Sequence, residues 1–150
     1  MQTTINNEWV YEQSPVEVWE YLTNADLIAL WLMPNDFKPV LGHEFAFRTK
    51  PIPSLDLDGI MHCKVLEIDP CKKLTYSWKG GPGNGSFTLD TVVEWLLEKH
   101  EKGTRLTLKQ SGFKEANLSI FTAMTQGWAS NIKKMMTHLN KLHDGNNTKS

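Results

Sequence analysis

Residues 14–31 read SPVEVWEYLTNADLIALW, with two helix starts and two tryptophan anchors in one short stretch. The Ser14 hydroxyl can cap a helix, Pro15 suits the first helical position because its missing N–H would go unbonded there, and Glu17 completes a capping box. Val16, Trp19, Tyr21 and Leu22 supply the apolar stripe of this helix. Asn24 restarts a second, shorter helix carrying Leu27, Ile28, Leu30 and Trp31, which Pro34 ends. Upstream, residues 5–11 alternate in part among Ile, Trp, Val and Tyr and predict a strand running directly into the Ser14 cap.

Downstream the pattern changes to strands. Residues 37–40 and 44–49 predict two strands joined at Leu41-Gly42-His43, with Phe45 and Phe47 alternating against Ala46 and Arg48. Residues 50–58 contain Pro51 and Pro53, which cannot donate to a ladder, so this piece is a loop or a ragged edge. From Gly59 a strand resumes with Met61, Cys63 and Val65 on one face and His62 and Lys64 on the other. Asp69-Pro70 then turns it into a partner carrying Leu74, Tyr76 and Trp78. The run Gly80-Gly81-Pro82-Gly83-Asn84-Gly85 connects to a long strand over 87–98, which turns at Lys102-Gly103 into another over 104–111. Six or seven consecutive strands result. Beyond Gly112 the apolar period lengthens to about 3.6. Phe121, Met124, Trp128, Ile132, Met135, Leu139 and Leu142 define a long amphipathic helix starting near Asn117 and stopping at Asp144-Gly145-Asn146-Asn147. The expected organisation is one domain over 1–144 and a polar tail over 145–150.

A chain of 150 residues is one domain long and needs no staple to bury a core. Its formal net charge of −1 gives no long-range pull toward nucleic acid or an anionic membrane. The basic cluster of Lys133, Lys134, His138, Lys141 and His143 falls in the last turns of the predicted helix, where positive charge complements the dipole. The amino terminus, MQTTINNEWVYEQ, lacks the basic start and apolar run of a signal peptide, so the cytoplasm is the expected compartment. Cys63 and Cys71 form no CxxC or Cys/His ligand pattern and are expected to be reduced thiols.

Candidates for chemistry are few. His62 sits mid-strand beside Lys64 and points away from Met61 and Cys63, while His43 and His100 fall at turns. His138 and His143 are five apart, which does not put two imidazoles on one helical face. Cys63 has no neighbouring cation on its face to lower its pKa. The glycine run at 80–85 lacks the helix start and the Lys-Ser/Thr pair of a phosphate cradle. No metal or cofactor is expected, and binding is favoured over catalysis.

Ser14-Pro15 with Val18-Trp19, Trp31 with Pro34, Val65 followed by Asp69-Pro70 and Leu74 to Trp78, Gly103-Thr104-Arg105-Leu106-Thr107-Leu108, Ser111-Gly112-Phe113 and Gly127-Trp128 occur in an order that covers nearly the whole chain. In that order the chain resembles the START-like (SRPBCC) superfamily and, within it, the group of homologues of the activator of the heat-shock-protein-90 ATPase. The resemblance implies an α+β helix-grip fold, a curved antiparallel sheet wrapped around the long carboxy-terminal helix with a cavity between them. Phe45, Phe47, Met61, Tyr76 and Trp78 would then cover the Met124 and Trp128 side of the helix. Leu108 and Gln110 share the inner face, Gln110 as a polar handle. Trp31 and Met33 would lie near the pocket mouth and Trp19 in the packed base. These residues either line a ligand-sized cavity or simply fill the core. Three functions follow as expectations: binding of a small hydrophobic or amphipathic ligand, a chaperone-linked protein interaction, and a cyclase or dehydratase activity based on orientation alone. The family's eukaryotic members join a separate chaperone-binding domain to this one, and the sequence starts at the first strand. No nucleic-acid or membrane partner is expected, and oligomeric state is left open.

Overall fold

The Ser14 hydroxyl accepts from the Glu17 N–H at 3.4 Å and the Glu17 carboxylate accepts from the Ser14 N–H at 3.3 Å. That reciprocal box opens α1 (Pro15–Thr23) as the sequence predicts. Asn24 serves both neighbours. Its N–H donates to the Glu20 carbonyl to close α1, and its Oδ1 accepts from the N–H groups of Asp26 and Leu27 at 3.0 and 3.3 Å to start α2 (Ala25–Trp31). The inward face of α1 is Val18, Trp19, Tyr21 and Leu22. Val16, expected in that stripe, is 60% exposed, because it lies two residues, roughly 200°, around the helix from Val18. Leu30 is turned out from Ile28 in the same way.

The computed structural model describes residues 4–148, with side chains through Lys141. β1 (Thr4–Tyr11) precedes the two helices, and β2 (Glu44–Arg48), β3 (Ile60–Asp69), β4 (Lys73–Gly80), β5 (Leu89–His100), β6 (Gly103–Ser111) and α3 (Leu118–Thr148) follow them. The strands form one antiparallel sheet of six in the order β1-β6-β5-β4-β3-β2. Successive hairpins account for β2 to β6, and β1 returns to the free edge of β6. Period-two alternation puts Met61, Cys63 and Val65 of β3, Leu74, Tyr76 and Trp78 of β4, and Leu106, Leu108 and Gln110 of β6 on one buried face. A bulge between Val65 and Glu67 breaks the register of β3 and leaves Leu66 outside. Trp128, Ile132, Met135 and Leu139 of α3 pack onto the buried face, so the core is one continuous layer between sheet and helix.

Three expectations are corrected. Residues 37–40 form no strand. The Asn35 Oδ1 takes the Phe37 N–H at 3.0 Å in a local turn, the Asp36 Oδ1 takes the Ala46 N–H at 2.8 Å, and Pro39 has no N–H to give, so pairing with the β2 edge stops at an isolated Asn35–Phe47 bridge and an Arg48 N–H to Pro34 carbonyl bond of 3.0 Å. Phe87 lies outside β5, which starts at Leu89; its ring meets His62 on the outer side of the sheet at 5.3 Å. The helix α3, entered through a 3-10 turn over Glu115–Asn117, continues to Thr148, past Asp144-Gly145-Asn146-Asn147. The last two residues of the expected tail, 149–150, lie outside the described residues, as do the side chains of Leu142 and His143. No described helix is long and apolar enough to cross a membrane.

The β1–α1 corner is latched from two sides. Thr104 Oγ1 donates to the Gln13 carbonyl at 2.8 Å, and buried Gln13 donates through Nε2 to Asn140 Oδ1 of α3 at 2.9 Å. Gly103 is what lets β6 approach this corner: a Cβ there would fall on the Tyr11 carbonyl oxygen and within 2.9 Å of the Glu12 carbonyl carbon. Those are backbone atoms with nothing flexible to yield. Gly103→Ala is expected to cost about 2–3 kcal/mol, read from the urea midpoint; an unchanged midpoint would refute the close approach.

Candidate functional site

Along α3, Ile120, Ala123, Met124, Gly127, Trp128 and Asn131 recur at spacings of three and one, which places them on one face. That face looks across a cavity of about 290 Å³ at Met61 of β3, Trp78 of β4 and Leu89 of β5. Half-buried Leu32 and Met33, just after α2, form part of its rim. Thr49, Ile52, Leu55 and Leu57 of the β2–β3 loop form the rest. Pro53 starts a single 3-10 turn over Pro53–Leu55, which folds that loop inward, so Ile52 and Leu55 pack against the core cluster. Among its side chains only Thr49 and Asn131, besides the two tryptophans, carry a polar group, and none is charged.

The expected lining residues divide into two groups. Met33, Met61, Trp78, Met124 and Trp128 stand in the cavity wall. Trp31, Phe45, Phe47, Tyr76, Leu108 and Gln110 lie behind it, in the filled core. Trp31 is far from the expected mouth position: it is buried, its Nε1 donates to the Tyr21 carbonyl at 2.8 Å, and its ring meets Trp95 edge-on at 6.1 Å. Phe45, Phe47 and Tyr76 pack on one another with centroids 5.3–6.2 Å apart, and Phe37 closes on Phe45 at 4.9 Å. Their rings satisfy each other. Trp78 and Trp128 are in direct contact, centroids 5.6 Å apart, so the cavity opens beside this pair. The rim residues of the 49–57 loop were not legible, because a segment with two prolines carries no period. Ala123 and Gly127, small residues four apart on the apolar face of α3, were the available signal.

Gln110 is bound up in structure. Its Oε1 accepts from Trp128 Nε1 at 2.8 Å, and its Nε2 donates to Thr91 Oγ1 at 2.9 Å and approaches Met124 Sδ at 3.7 Å. Thr91 Oγ1 in turn donates to the Trp78 carbonyl at 2.9 Å. This chain of bonds crosses from β6 to α3 and to β4, and every polar atom of Gln110 is used. Cys63 is no activated nucleophile, since burial and the nearby Asp36 charge push its thiol well above the usual range. Burial likewise holds the proton on Tyr11 and on Tyr76, whose hydroxyl accepts from Trp95 Nε1 at 3.0 Å. Among the described residues no cluster of three or more His, Cys, Asp or Glu could hold a metal. Depressions of similar size around His62 and Phe87 differ in carrying charged side chains, Asp58 in one and Glu44, Lys64 and Lys79 in the other.

Gln110→Leu is expected to destabilise by about 2–3 kcal/mol, since it orphans the Trp128 N–H in a dry interior; urea unfolding measures it, and a loss below about 0.5 kcal/mol would mean the network is idle. A second outcome concerns alkali. Cys63, Tyr11 and Tyr76 have ordinary values of 9.0, 10.0 and 10.0, and all three are raised in the fold. Above pH 9 the unfolded chain therefore binds fewer protons than the folded one, so the stability these groups confer is complete below that pH and lost above it. The slope approaches about 1.4 kcal/mol per pH unit for each group. Tyr76→Phe should remove one proton's worth of that slope between pH 10 and 11; an unaltered slope would refute the burial effect.

The family model for Activator of Hsp90 ATPase homolog 1-like protein matches residues 12–140. Comparison with curated proteins finds no match. Among solved structures, protein MLL2253 from Mesorhizobium loti is 32% identical with a TM-score of 0.82, over 92% of this chain and 97% of that one. The solution structure of Bacillus halodurans protein BH1534 is 23% identical with a TM-score of 0.71, over 91% and 96%. CalU16 from Micromonospora echinospora is 20% identical with a TM-score of 0.73, over 91% and 75%. At these lower identities the likeness is one of fold. With the family model spanning most of its length and a six-stranded sheet gripping α3, the chain belongs to the Activator of Hsp90 ATPase homolog 1-like family of the START-like superfamily.

Proposed function

We propose that the protein is a START-like module that binds a small, largely apolar molecule in the cavity between its sheet and α3. The observation that carries this reading is Gly127. A glycine inside a long helix costs about 1 kcal/mol relative to alanine. Here neither backbone nor neighbours require it: its φ is not positive, and a Cβ at that position meets nothing within 4 Å. The missing side chain therefore leaves room in the cavity wall, where a larger apolar residue would fill space and stabilise the core. A volume of about 290 Å³ stands near the lower end of small-molecule pockets, roughly 300–1,000 Å³.

The reading is binding rather than acid–base catalysis, because no titratable side chain lines the wall. The chaperone-linked alternative has the family's description behind it, whereas the cavity is a feature of this chain's own residues. The free thiols of Cys63 and Cys71 are consistent with the cytoplasmic setting that forms part of the proposal.

Gly127→Leu fills the cavity without touching the core behind it. Titration with a neutral, environment-sensitive dye should show binding to the native chain and at least tenfold weaker binding to the variant, whose melting temperature is unchanged or higher. Equal binding by both proteins, or none by the native chain together with no small molecule retained in native mass spectrometry, would overturn the proposal.

A further inference from the structure

One polar side chain stands in the middle of the apolar face that α3 turns to the cavity. At roughly 100° per residue, Asn131 emerges about 20° from Ile120 and about 40° from Gly127, whereas the close-packed Ile132 and Leu139 lie roughly 100–120° from Ile120. Helical side chains lean toward the N-terminus, so Asn131 covers the turn that begins at Gly127. That turn is open, since a Cβ at Gly127 would meet nothing within 4 Å. The amide is also uncommitted. Among the described residues neither its Oδ1 nor its Nδ2 has a hydrogen-bond partner, and neither is one of the sealed-off polar atoms of the interior, so half-buried Asn131 keeps its amide accessible. Gln110 is the opposite case, with both polar atoms spent on Trp128 and Thr91.

The two ends of the cavity differ. Asn117 Nδ2 donates to the Thr88 carbonyl at 2.8 Å, which sets the start of α3 beside Leu89, so Ile120 and Leu89 share one end. Asn131 lies three turns further along α3, about 16 Å of rise from Ile120. Thr49, the other polar side chain outside the tryptophans, is exposed on the rim, where the Arg48 N–H to Pro34 carbonyl bond of 3.0 Å holds it near Met33. No Lys, Arg or His lines the wall, so a carboxylate or phosphate would be desolvated there without a counter-charge, and the absence of Asp and Glu argues equally against an ammonium. A side-chain amide both donates and accepts, and its match is a neutral group that does the same. Resting on the cavity reading above, we infer that the ligand is an uncharged amphipathic molecule, with an apolar body against Met61, Leu89, Ile120 and Met124 and one amide or hydroxyl group paired with the Asn131 side chain. Asn131 then sets specificity, and the soft methionine side chains supply shape without polarity.

Three fluorescent probes of one shape test this on the full chain: naphthalene-2-carboxamide, naphthalene-2-carboxylate and 2-isopropylnaphthalene. The carboxamide should bind more tightly than the carboxylate. In Asn131→Leu, which keeps the side-chain volume, the ratio of carboxamide to hydrocarbon affinity should fall about tenfold, the worth of the hydrogen bonds lost. Should that variant fail to fold, the side-chain amide resonances of Asn131 in the native chain give a second readout: they should move with the carboxamide and not with the hydrocarbon. An unchanged ratio in Asn131→Leu, a preference of the native chain for the carboxylate, or Asn131 signals that ignore the carboxamide would each overturn the inference. If the ratio is unchanged and Gly127→Leu still abolishes binding, the cavity reading survives and this one falls. If no probe binds the native chain, both fall.

Discussion

The indole of Trp128 is held from three sides, and the arrangement of sheet and helix depends on it. Its N–H is fixed by Gln110 at 2.8 Å, its ring meets Trp95 edge-on at 5.5 Å, and it tilts against Trp78 at 5.6 Å. One hydrogen bond and two ring contacts, on strands β6, β5 and β4, determine both the height of α3 over the sheet and its rotation about its own axis. The magnitudes suit such an anchor: loss of a buried tryptophan costs about 3–5 kcal/mol, and each ring pair adds about 0.5–1.5 kcal/mol beyond area burial. Once Trp128 is fixed, Gly127 and Met124 are obliged to face the space beside Trp78.

The sheet has to curve to meet that helix along its whole length. Its order, β1-β6-β5-β4-β3-β2, is nearly the order of the chain, so most pairings are local hairpins and only β1 pairs at long range. The long-range pairing is where extra polar bonds are spent, in the Thr104 to Gln13 to Asn140 relay. At the opposite edge, β2 is covered by residues 34–36: the Pro34 carbonyl takes the Arg48 N–H at 3.0 Å and the Asp36 carboxylate takes the Ala46 N–H at 2.8 Å, occupying donors that another strand would otherwise use.

Much of this was legible because local chemistry and the global fold agree. Ser14, Glu17 and Asn24 cap helices by rules that do not need tertiary structure, and the alternation around Met61, Tyr76 and Leu106 shows which face must be buried. The misassignments have two local causes. Phe37 has the apolar signature of a strand residue and is indeed buried, but Asn35, Asp36 and Pro39 decide its backbone through bonds that periodicity does not record. Val16 and Leu30 are apolar residues on the wrong side of short helices, where a turn or two gives too few positions to define a face. For the site, periodicity shows that Phe45, Phe47, Tyr76, Trp78 and Leu108 point inward, but not which of them touch empty space. That depends on which neighbours reach far enough to fill it, and Phe37, arriving from an irregular segment, is what closes over Phe45.

The interface between sheet and α3 therefore consists of two unlike halves. From Trp128 through Ile132, Met135 and Leu139 the helix presents large side chains that are buried against the sheet and close-packed. From Ile120 to Gly127 it presents Ala123 and Gly127 to a void, capped by the turn after α2 and the Pro53 loop. Stability is concentrated in the first half, and the second half contributes less because its contacts are missing. That division is what allows one small domain to keep a cavity at all: the anchor at Trp128 isolates the open half from the closed one, so changes among Met33, Ile52, Leu55 and Ala123 can reshape the pocket without loosening the grip that holds the helix.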